Sequence, residues 1–331
     1  MNRLINDQGN VKFGIFESPI DEVNYKDYQM TTPLGSRVSS IFKKLMFNQF
    51  VFFGLTGPDV IIGMAVVDLK YLSNGFLYIY DRKDGSVSEA NKTIVPISKK
   101  IFISPSPEKV SCGFTFGNLS ISMKNTKIFA KAKDIEIDLE FDRSRTSPLR
   151  ICTKAGYKGW VYTQKTSPIN VTGKVIHKGR QINISSPTYM GLMDWTAGHM
   201  RRETFWNWAA TASTLSDGRS LGLNLSCGVN ETSFTENAFW VDGKMTKVDM
   251  IAFEFNPDDF YDQWKIKSLD GKVDLVFNGK QHRKENINVG VVATKFTQLM
   301  GDFKGSLKTD DGEVIEIKDC PGWAEDHYAK W

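Results

Sequence analysis

The chain has 331 residues, with 42 Lys or Arg, 38 Asp or Glu and a formal net charge of +4. Its 41% hydrophobic and 24% charged residues are typical of a globular protein. This near balance of charge, without a dense basic run, predicts no nucleic-acid partner. The most apolar stretch, residues 50–67, is broken by glycines and a proline, so we expect no transmembrane segment.

The beginning of the chain does not resemble a secretory signal. Asp7, Lys12 and Glu17 occupy positions where the apolar part of such a signal would lie. The four cysteines are scattered and form no CxxC pair. We therefore expect a cytoplasmic protein with free thiols.

Strand signals dominate the first half, and one helix is predicted there. Residues 35–50 carry four large apolar residues at helical spacing. Residues 60–69 and 76–80 are β-branched or aromatic runs, with turn residues at 73–75 between them. Strict alternation of apolar and acidic residues predicts a half-buried strand at 134–143.

The second half continues in the same way. Residues 205–226 predict a β-hairpin, preceded by a loop at 194–203. Residues 272–277 predict a strand that ends at Asn278 and Gly279. Residues 303–307 and 313–317 predict a hairpin around a turn at 310–312.

Together these elements predict an all-β protein of two antiparallel β-barrel or sandwich halves with few helices. All eight tryptophans lie at or after Trp160, and residues 144–159 contain few long apolar runs. We therefore predict an N-terminal half at residues 1–150 and a Trp-rich half at residues 151–331.

Residues 190–209 concentrate the side chains from which sites are built, namely Trp, Arg, His and carboxylates. Asp194, His199 and Glu203 are candidate acid–base groups. The alternative roles are a turn cap or ion-pair partner for the carboxylates and a hydrogen-bonding strut for the imidazole.

Aromatic and basic residues supply candidate ligand contacts. Arg202 and Trp206 share one face of an extended strand, so a head group held by Arg202 would lie beside the indole. The alternatives are core aromatics and a buried ion pair. The full set of predicted ligand-binding residues is Trp195, Arg202, Trp206, Trp208, Trp240 and His327.

Signatures of cofactor sites are absent from the sequence. It contains no phosphate loop, dinucleotide fingerprint or nucleophile elbow. The four histidines show no close metal-ligand spacing such as HxH or HExxH. We therefore expect no cofactor and no metal.

Two resemblances rest on the motifs around the predicted site. The run Asp194-Trp195-Thr196-Ala197-Gly198-His199, with Trp206-Asn207-Trp208 and the terminal Glu325-Asp326-His327-Tyr328-Ala329-Lys330-Trp331, resembles a bacterial family defined as domain of unknown function 2804. More distantly, it is similar to lipocalin-like two-barrel proteins such as carotenoid hydratases, tocopherol cyclases and Diels–Alder cyclases. The Trp-Asp-His core of that group appears here as Asp194-Trp195 with His199 displaced. This resemblance implies two lipocalin-like halves and a ligand near the place where they meet.

Three functions follow as hypotheses. The first is binding of a small hydrophobic molecule with a polar or anionic head in a calycin-like cavity. The alternative is a cofactor-independent hydratase, isomerase or cyclase acting on a lipid- or terpenoid-like substrate by acid–base chemistry. The third is a structural or interaction protein without a ligand. The sequence predicts no oligomeric state.

Overall fold

The computed structural model describes residues 1–95, 100–229, 234–288, 290 and 292–330. Over these residues the protein is all-β, with two strongly curled antiparallel half-barrel sheets. Helical structure in the described ranges is limited to α1 (Ser40–Leu45) and a 3-10 turn at Tyr25–Asp27. The predicted fold class is confirmed. None of the described helices is long and apolar enough to span a bilayer.

The first sheet has 13 strands in the order β5-β4-β3-β2-β13-β12-β10-β9-β8-β7-β6, and β11 joins β12 to β1. Its strands are β1 (Gly14–Ile15), β2 (Asn48–Thr56), β3 (Val60–Asp68), β4 (Ser73–Asp81), β5 (Val87–Ile94), β6 (Ile101–Ile103), β7 (Ser111–Phe116), β8 (Leu119–Lys124), β9 (Lys127–Ala132), β10 (Ile135–Asp142), β11 (Leu149–Ala155), β12 (Gly159–His177) and β13 (Arg180–His199).

The second sheet has nine strands in the order β17-β16-β15-β14-β22-β21-β20-β19-β18. Its strands are β14 (Glu203–Thr214), β15 (Ser220–Cys227), β16 (Ala238–Val241), β17 (Lys244–Lys247), β18 (Ile251–Glu254), β19 (Trp264–Ser268), β20 (Val273–Asn288), β21 (Ala293–Lys308) and β22 (Val314–Lys330).

Alternation along the strands produces three apolar layers. Each sheet curls around its own interior core, and a third cluster fills the junction where the two sheets pack together. On β13, Trp195 points into the first core while its neighbour Asp194 points toward the junction. On β14, Ala209 packs in the second core while Trp208 packs in the junction. Successive side chains of a strand therefore point into different layers.

The C-terminal aromatic segment is a central strand. β22 pairs with β14 on one side and with β21 on the other, from Gly322 to Lys330. Within the described residues, this aromatic segment packs beside the strand that carries Trp208, and Glu325 lies opposite Trp208. Trp331 lies outside the described residues.

Two sequence expectations for the first sheet are wrong. The predicted helix at 35–50 shrinks to α1, because residues 48–50 enter β2. The apolar residues at helical spacing, including Ile41 and Phe42, are exposed and do not form a buried stripe. The turn predicted at residues 73–75 falls inside β4, since the chain reverses just before it at residues 69–72.

Two expectations further along the chain also need correction. The loop predicted at 194–203 is mostly strand, since β13 continues to His199 and pairs with both β12 and β2. The dipeptide Asn278-Gly279 does not end a strand, because β20 runs through it with a β-bulge after Gly279. At residues 194–198 pairing on both sides of the strand outweighs the loop signal, and at Asn278-Gly279 pairing with β21 outweighs the turn signal.

The change from one sheet to the other falls between His199 and Glu203. It therefore lies after the division that the sequence predicts between residues 150 and 151. β11 spans that division and β12 follows it, yet both pair within the first sheet.

Candidate functional site

The junction between the sheets is the place where polar and aromatic side chains of both halves meet. The first sheet contributes β2, β3, β4 and β13, and the second contributes β14, β21 and β22. The buried members of this apolar cluster are Phe52, Ile61, Ala65, Tyr78, Tyr80, Met190, Leu192, Trp208, Ala210, Ala212, Met300 and Trp323.

Strand register brings titratable groups into this apolar layer. In the second sheet Arg283, Gln298, Glu325 and Trp208 lie side by side on β20, β21, β22 and β14. Side chains two residues along a strand share its face, so the next row points the same way. That next row places His327 between Phe296 and Trp206.

Glu325 is the centre of a polar relay that crosses the junction. Its Oε1 accepts a hydrogen bond from Trp206 Nε1 at 2.9 Å, and its Oε2 accepts one from Gln298 Nε2 at 2.8 Å. Gln298 Oε1 in turn accepts from the Tyr78 hydroxyl of the first sheet at 2.6 Å. Burial raises the pKa of Tyr78 far above its ordinary value, so this hydroxyl stays a donor. The relay fixes both oxygens of a buried carboxylate.

His327 lies at the half-buried end of this relay. Its Nδ1 is 3.2 Å from Glu325 Oε1, and its Nε2 is 2.9 Å from Thr294 Oγ1. A proton on Nδ1 satisfies both contacts, because Nδ1 then donates to the carboxylate and Nε2 accepts from the hydroxyl. The imidazole lies between Trp206 and Phe296, with ring centroids at 4.1 and 4.8 Å. The ring is therefore oriented by a carboxylate, as acid–base histidines are, and it lies between two aromatic rings.

A buried cation flanks the relay. The Arg283 guanidinium donates to Glu89 Oε1 of the first sheet from Nε, at 3.1 Å, and from a terminal nitrogen, at 2.5 Å. It also contacts the rings of Phe76, Tyr78 and Phe296, with distances of 4.4, 4.9 and 5.0 Å to the centroids. Stacking on aromatic rings suits the planar guanidinium and places a positive charge next to the junction.

A second polar cluster occupies the other flank of the junction. Lys165 Nζ lies 2.5 Å from Asp194 Oδ2 and 3.5 Å from Oε2 of Glu236, which precedes β16. Burial alone would lower the pKa of Lys165, but the two carboxylates outweigh it and raise the pKa above its ordinary value. Asp194 Oδ1 accepts from Thr196 and Thr163 at 2.8 and 3.3 Å. The Asp194 carboxylate is therefore fully engaged by a cation and two hydroxyls.

Aromatic rings separate the two polar clusters. The Phe52 ring contacts Trp208 and Trp323 edge to face, with centroids 5.8 and 6.0 Å away. Phe52 lies beside Asp194 in the first sheet, and Trp208 lies beside Glu325 in the second. The junction thus has a filled aromatic centre and a polar group on each side.

The structure does not bring the three predicted acid–base residues together. Asp194 belongs to the Lys165 cluster, which consists of Lys165, Asp194 and Glu236. His199 lies an odd number of residues further along β13, so its side chain points to the opposite face, into the first core. Glu203 is exposed at the start of β14, 3.6 Å from Lys330.

His199 lies in an aromatic cage at one end of the first core. The nearest rings are those of Phe47 and Trp160, both at 5.5 Å, then Tyr28 at 5.7 Å and Tyr25 at 6.4 Å. Burial lowers the pKa of His199 to about 4. The imidazole is therefore neutral at physiological pH.

The predicted ligand contacts divide into two groups. Trp206, Trp208 and His327 line the junction, as described above. Trp195 packs inside the first core, 6.0 Å from the Tyr162 ring. The remaining two lie outside that layer: Trp240 donates its indole hydrogen to the Ser147 carbonyl at 2.7 Å, and Arg202 is exposed, with its charge near the Tyr71 hydroxyl.

Several junction residues are absent from the predicted set: Tyr78, Glu89, Lys165, Glu236, Arg283, Thr294 and Gln298. Glu325 is absent as well, although its spacing of two residues from His327 on a strand places both on one face. This spacing is the sequence signal from which Glu325 could have been predicted as a partner of His327. Over the described ranges, no group of three or more His, Cys, Asp or Glu is arranged to hold a metal ion.

Comparison with solved structures finds proteins of similar fold. Kievitone hydratase from Nectria haematococca is similar with a TM-score of 0.51 and 9% identity, over 85% of this chain and 87% of that chain. An AttH-like protein from Nitrosomonas europaea gives a TM-score of 0.49 and 11% identity over 85% and 91% of the two chains. CghA with Sch210972 gives 0.46 and 11% over 99% and 97%. The predicted likeness to lipocalin-like two-barrel proteins is confirmed as a likeness of fold.

Sequence comparison identifies the family. No curated protein matches the chain. The model of the family described as a domain of unknown function, DUF2804, matches residues 1–331. The chain therefore belongs to the DUF2804 family.

Proposed function

We propose that this protein is an acid–base enzyme of the hydratase, isomerase or cyclase class, acting on a small hydrophobic molecule at the junction of its two sheets. The observation that carries the proposal is the pair of Glu325 and His327. A buried carboxylate orients an imidazole whose other nitrogen reaches the half-buried surface. Kievitone hydratase, which shares the fold, supports the reaction class.

The chemistry would take place at His327 Nε2. A substrate group that replaces the Thr294 hydroxyl there would lose a proton to the ring or receive one from it. Glu325 would stabilise the imidazolium that forms, while Trp206 and Gln298 keep the carboxylate in place. Proton transfer to or from a carbon or oxygen atom is the step shared by acid–base-catalysed hydration, isomerisation and cyclisation.

The surroundings favour a hydrophobic substrate. Phe76, Trp206 and Val67 are only half-buried at the rim of the junction, next to the buried aromatic centre. An apolar molecule bound there would contact ring faces, with the Arg283 charge close by. The predicted anionic head group and cytoplasmic location stay predictions.

The test is a panel of unsaturated terpenoid alcohols, long-chain enones and hydroxylated fatty acids incubated with the protein in D₂O. Mass spectrometry would detect addition of water or an isomer that carries deuterium. We expect His327→Asn to lower turnover by about 10²–10⁴-fold, because Asn keeps a donor toward Glu325 but exchanges no proton at neutral pH.

His282→Asn is the matched control, since His282 contacts Tyr261 on another part of the second sheet. It should keep full turnover. Retained turnover in His327→Asn would contradict the assignment of His327. Tight binding of panel members without any turnover would instead favour a ligand-binding protein.

A further inference from the structure

The segment at residues 33–46, which contains α1, projects from the first sheet with its apolar side chains uncovered. Leu34 is 96% exposed, Ile41 70%, Phe42 64% and Met46 47%. None of the residues of α1 is buried. Isolated exposed apolar residues are ordinary, but a contiguous group on one short segment marks an interaction surface.

All the charged side chains of the same segment are basic. It carries Arg37, Lys43 and Lys44, and the sequence contains no Asp or Glu between Asp27 and Asp59. No carboxylate of its own therefore neutralises these charges. The combination of exposed apolar and basic side chains is complementary to a surface that is both apolar and anionic.

The segment is attached to the body of the protein by specific contacts. Ser39 caps α1 by accepting a hydrogen bond from the Phe42 amide at 3.4 Å. Lys43 Nζ donates to the carbonyls of Lys26 and Tyr28 at 2.5 and 3.0 Å. These contacts hold the backbone while Phe42 faces solvent.

The end of the segment is anchored in the first sheet. Phe47 is buried directly after it and stacks on the Tyr25 ring with centroids 3.8 Å apart. The exposed side chains are therefore displayed on a fixed base.

A neighbouring turn extends the surface. The Tyr28 hydroxyl donates to the Lys158 carbonyl at 2.7 Å, and the Tyr28 carbonyl accepts from Lys43, so Tyr28 links the turn at residues 157 and 158 to the α1 segment. Tyr157 is 75% exposed, and the Lys158 ammonium lies over its ring at 5.2 Å. An aromatic ring next to a lysine is typical of residues at a membrane–water interface.

We propose that residues 33–46, together with Tyr157 and Lys158, dock this protein on an anionic lipid bilayer. Ile41, Phe42 and Met46 enter the boundary between head groups and acyl chains, while Arg37 and Lys44 contact the anionic head groups. A protein partner would have to provide both an apolar patch and a surplus of acid, whereas an anionic bilayer offers both everywhere on its surface.

Co-sedimentation with vesicles tests the proposal. Vesicles of phosphatidylglycerol and phosphatidylcholine are compared with vesicles of phosphatidylcholine alone. We expect binding to the anionic vesicles that weakens as salt increases. Phe42→Asp should weaken this binding roughly tenfold or more, and Lys44→Glu should weaken it mainly at low salt.

Leu269→Asp is the matched control, because Leu269 is 73% exposed on a turn of the second sheet. It should bind like the unchanged protein. Circular dichroism and melting temperature establish that each variant is folded. Absence of binding, equal binding to both vesicle types, or full binding by Phe42→Asp would each overturn the proposal. So would a dimer in sedimentation equilibrium that Phe42→Asp abolishes, since a second copy would then cover this surface.

Discussion

The aromatic cage around His199 makes the stability of the protein depend on pH. Burial lowers the pKa of His199 from 6.5 to about 4 in the folded protein. The unfolded chain binds the proton near pH 6.5, so the stability due to the neutral ring is complete above that pH. It is lost as the pH falls from 6.5 toward 4.

His199→Leu should remove this dependence. Between pH 7 and pH 5, we expect the unchanged protein to lose about 2 kcal/mol more unfolding free energy than the variant. Urea denaturation at both pH values measures the difference. Equal losses in the two proteins would contradict the idea that the buried ring resists protonation.

Replacing different members of the Lys165 cluster should lower the unfolding free energy by different amounts. Lys165→Met leaves the carboxylates of buried Asp194 and half-buried Glu236 without the cation they share, which should cost about 3–5 kcal/mol of unfolding free energy. Asp194→Asn should cost less, because Lys165 keeps Glu236. Denaturant titration of both variants measures this order, and a larger loss in Asp194→Asn would contradict it.

Lys131→Met is the control for removing a lysine charge. Lys131 pairs with Glu136 at 3.0 Å, with side chains 69% and 49% exposed. Solvent screens such a pair, so we expect a loss of no more than about 1 kcal/mol.

The sequence predicts candidate residues better than it predicts their grouping. The sequence marks Trp206, Trp208 and His327 as candidates because aromatic and polar residues are concentrated around them. The structure places all three at the junction. Their partners are harder to find, because Tyr78 and Gln298 come from strands far apart in the chain. Register across several strands brings them together, and no local pattern encodes that register.

At the scale of elements, the packing of the two sheets depends on a close approach at Gly54. A Cβ atom at this position would lie 2.6 Å from the end of the Trp323 indole, a distance that forces a shift. Gly54→Ala should therefore destabilise the protein by about 1–3 kcal/mol.

A double-mutant cycle tests the cause of that loss. Trp323→Phe removes the ring atoms that the new methyl group would meet. The double variant should lose less unfolding free energy than the sum of the two single variants. Simple additivity would show that the effect of Gly54→Ala arises elsewhere, for example in the backbone of β2.

Secondary structure is predicted correctly where apolar and polar residues alternate strongly. It is predicted incorrectly where pairing with other strands or packing against the core determines the structure. β10 follows its alternating pattern closely, with every second residue buried. α1 is much shorter than predicted because its apolar face is not packed against the core. β13 continues through residues 194–199 because β2 and β12 pair with it on both sides, and this cannot be read from a single segment.

At the scale of the whole molecule, side-chain contacts across the junction connect the two sheets, so we expect them to unfold together. Tyr78 bonds to Gln298, and Arg82 pairs with Asp302 at 3.0 Å. The first sheet contains the buried thiols of Cys112 and Cys152, and the second contains that of Cys320. These thiols provide an unfolding probe for each sheet.

We expect all three thiols to become reactive over the same range of urea concentration. Burial protects them in the folded protein, so a thiol reagent and mass spectrometry report when each sheet opens. Labelling of Cys320 well before Cys112 and Cys152 would mean that the sheets unfold separately and that the junction contributes little to their cooperation.

The central position of β22 has a consequence for synthesis on the ribosome. β14 has β15 on one side as soon as that hairpin is made, but its other neighbour, β22, is translated much later. The first sheet has all its strands once His199 has emerged, whereas the second stays incomplete until Lys330 has been added. During that interval Trp206 and Trp208 lack their neighbouring strand, and this is when a nascent chain would most need protection by a chaperone.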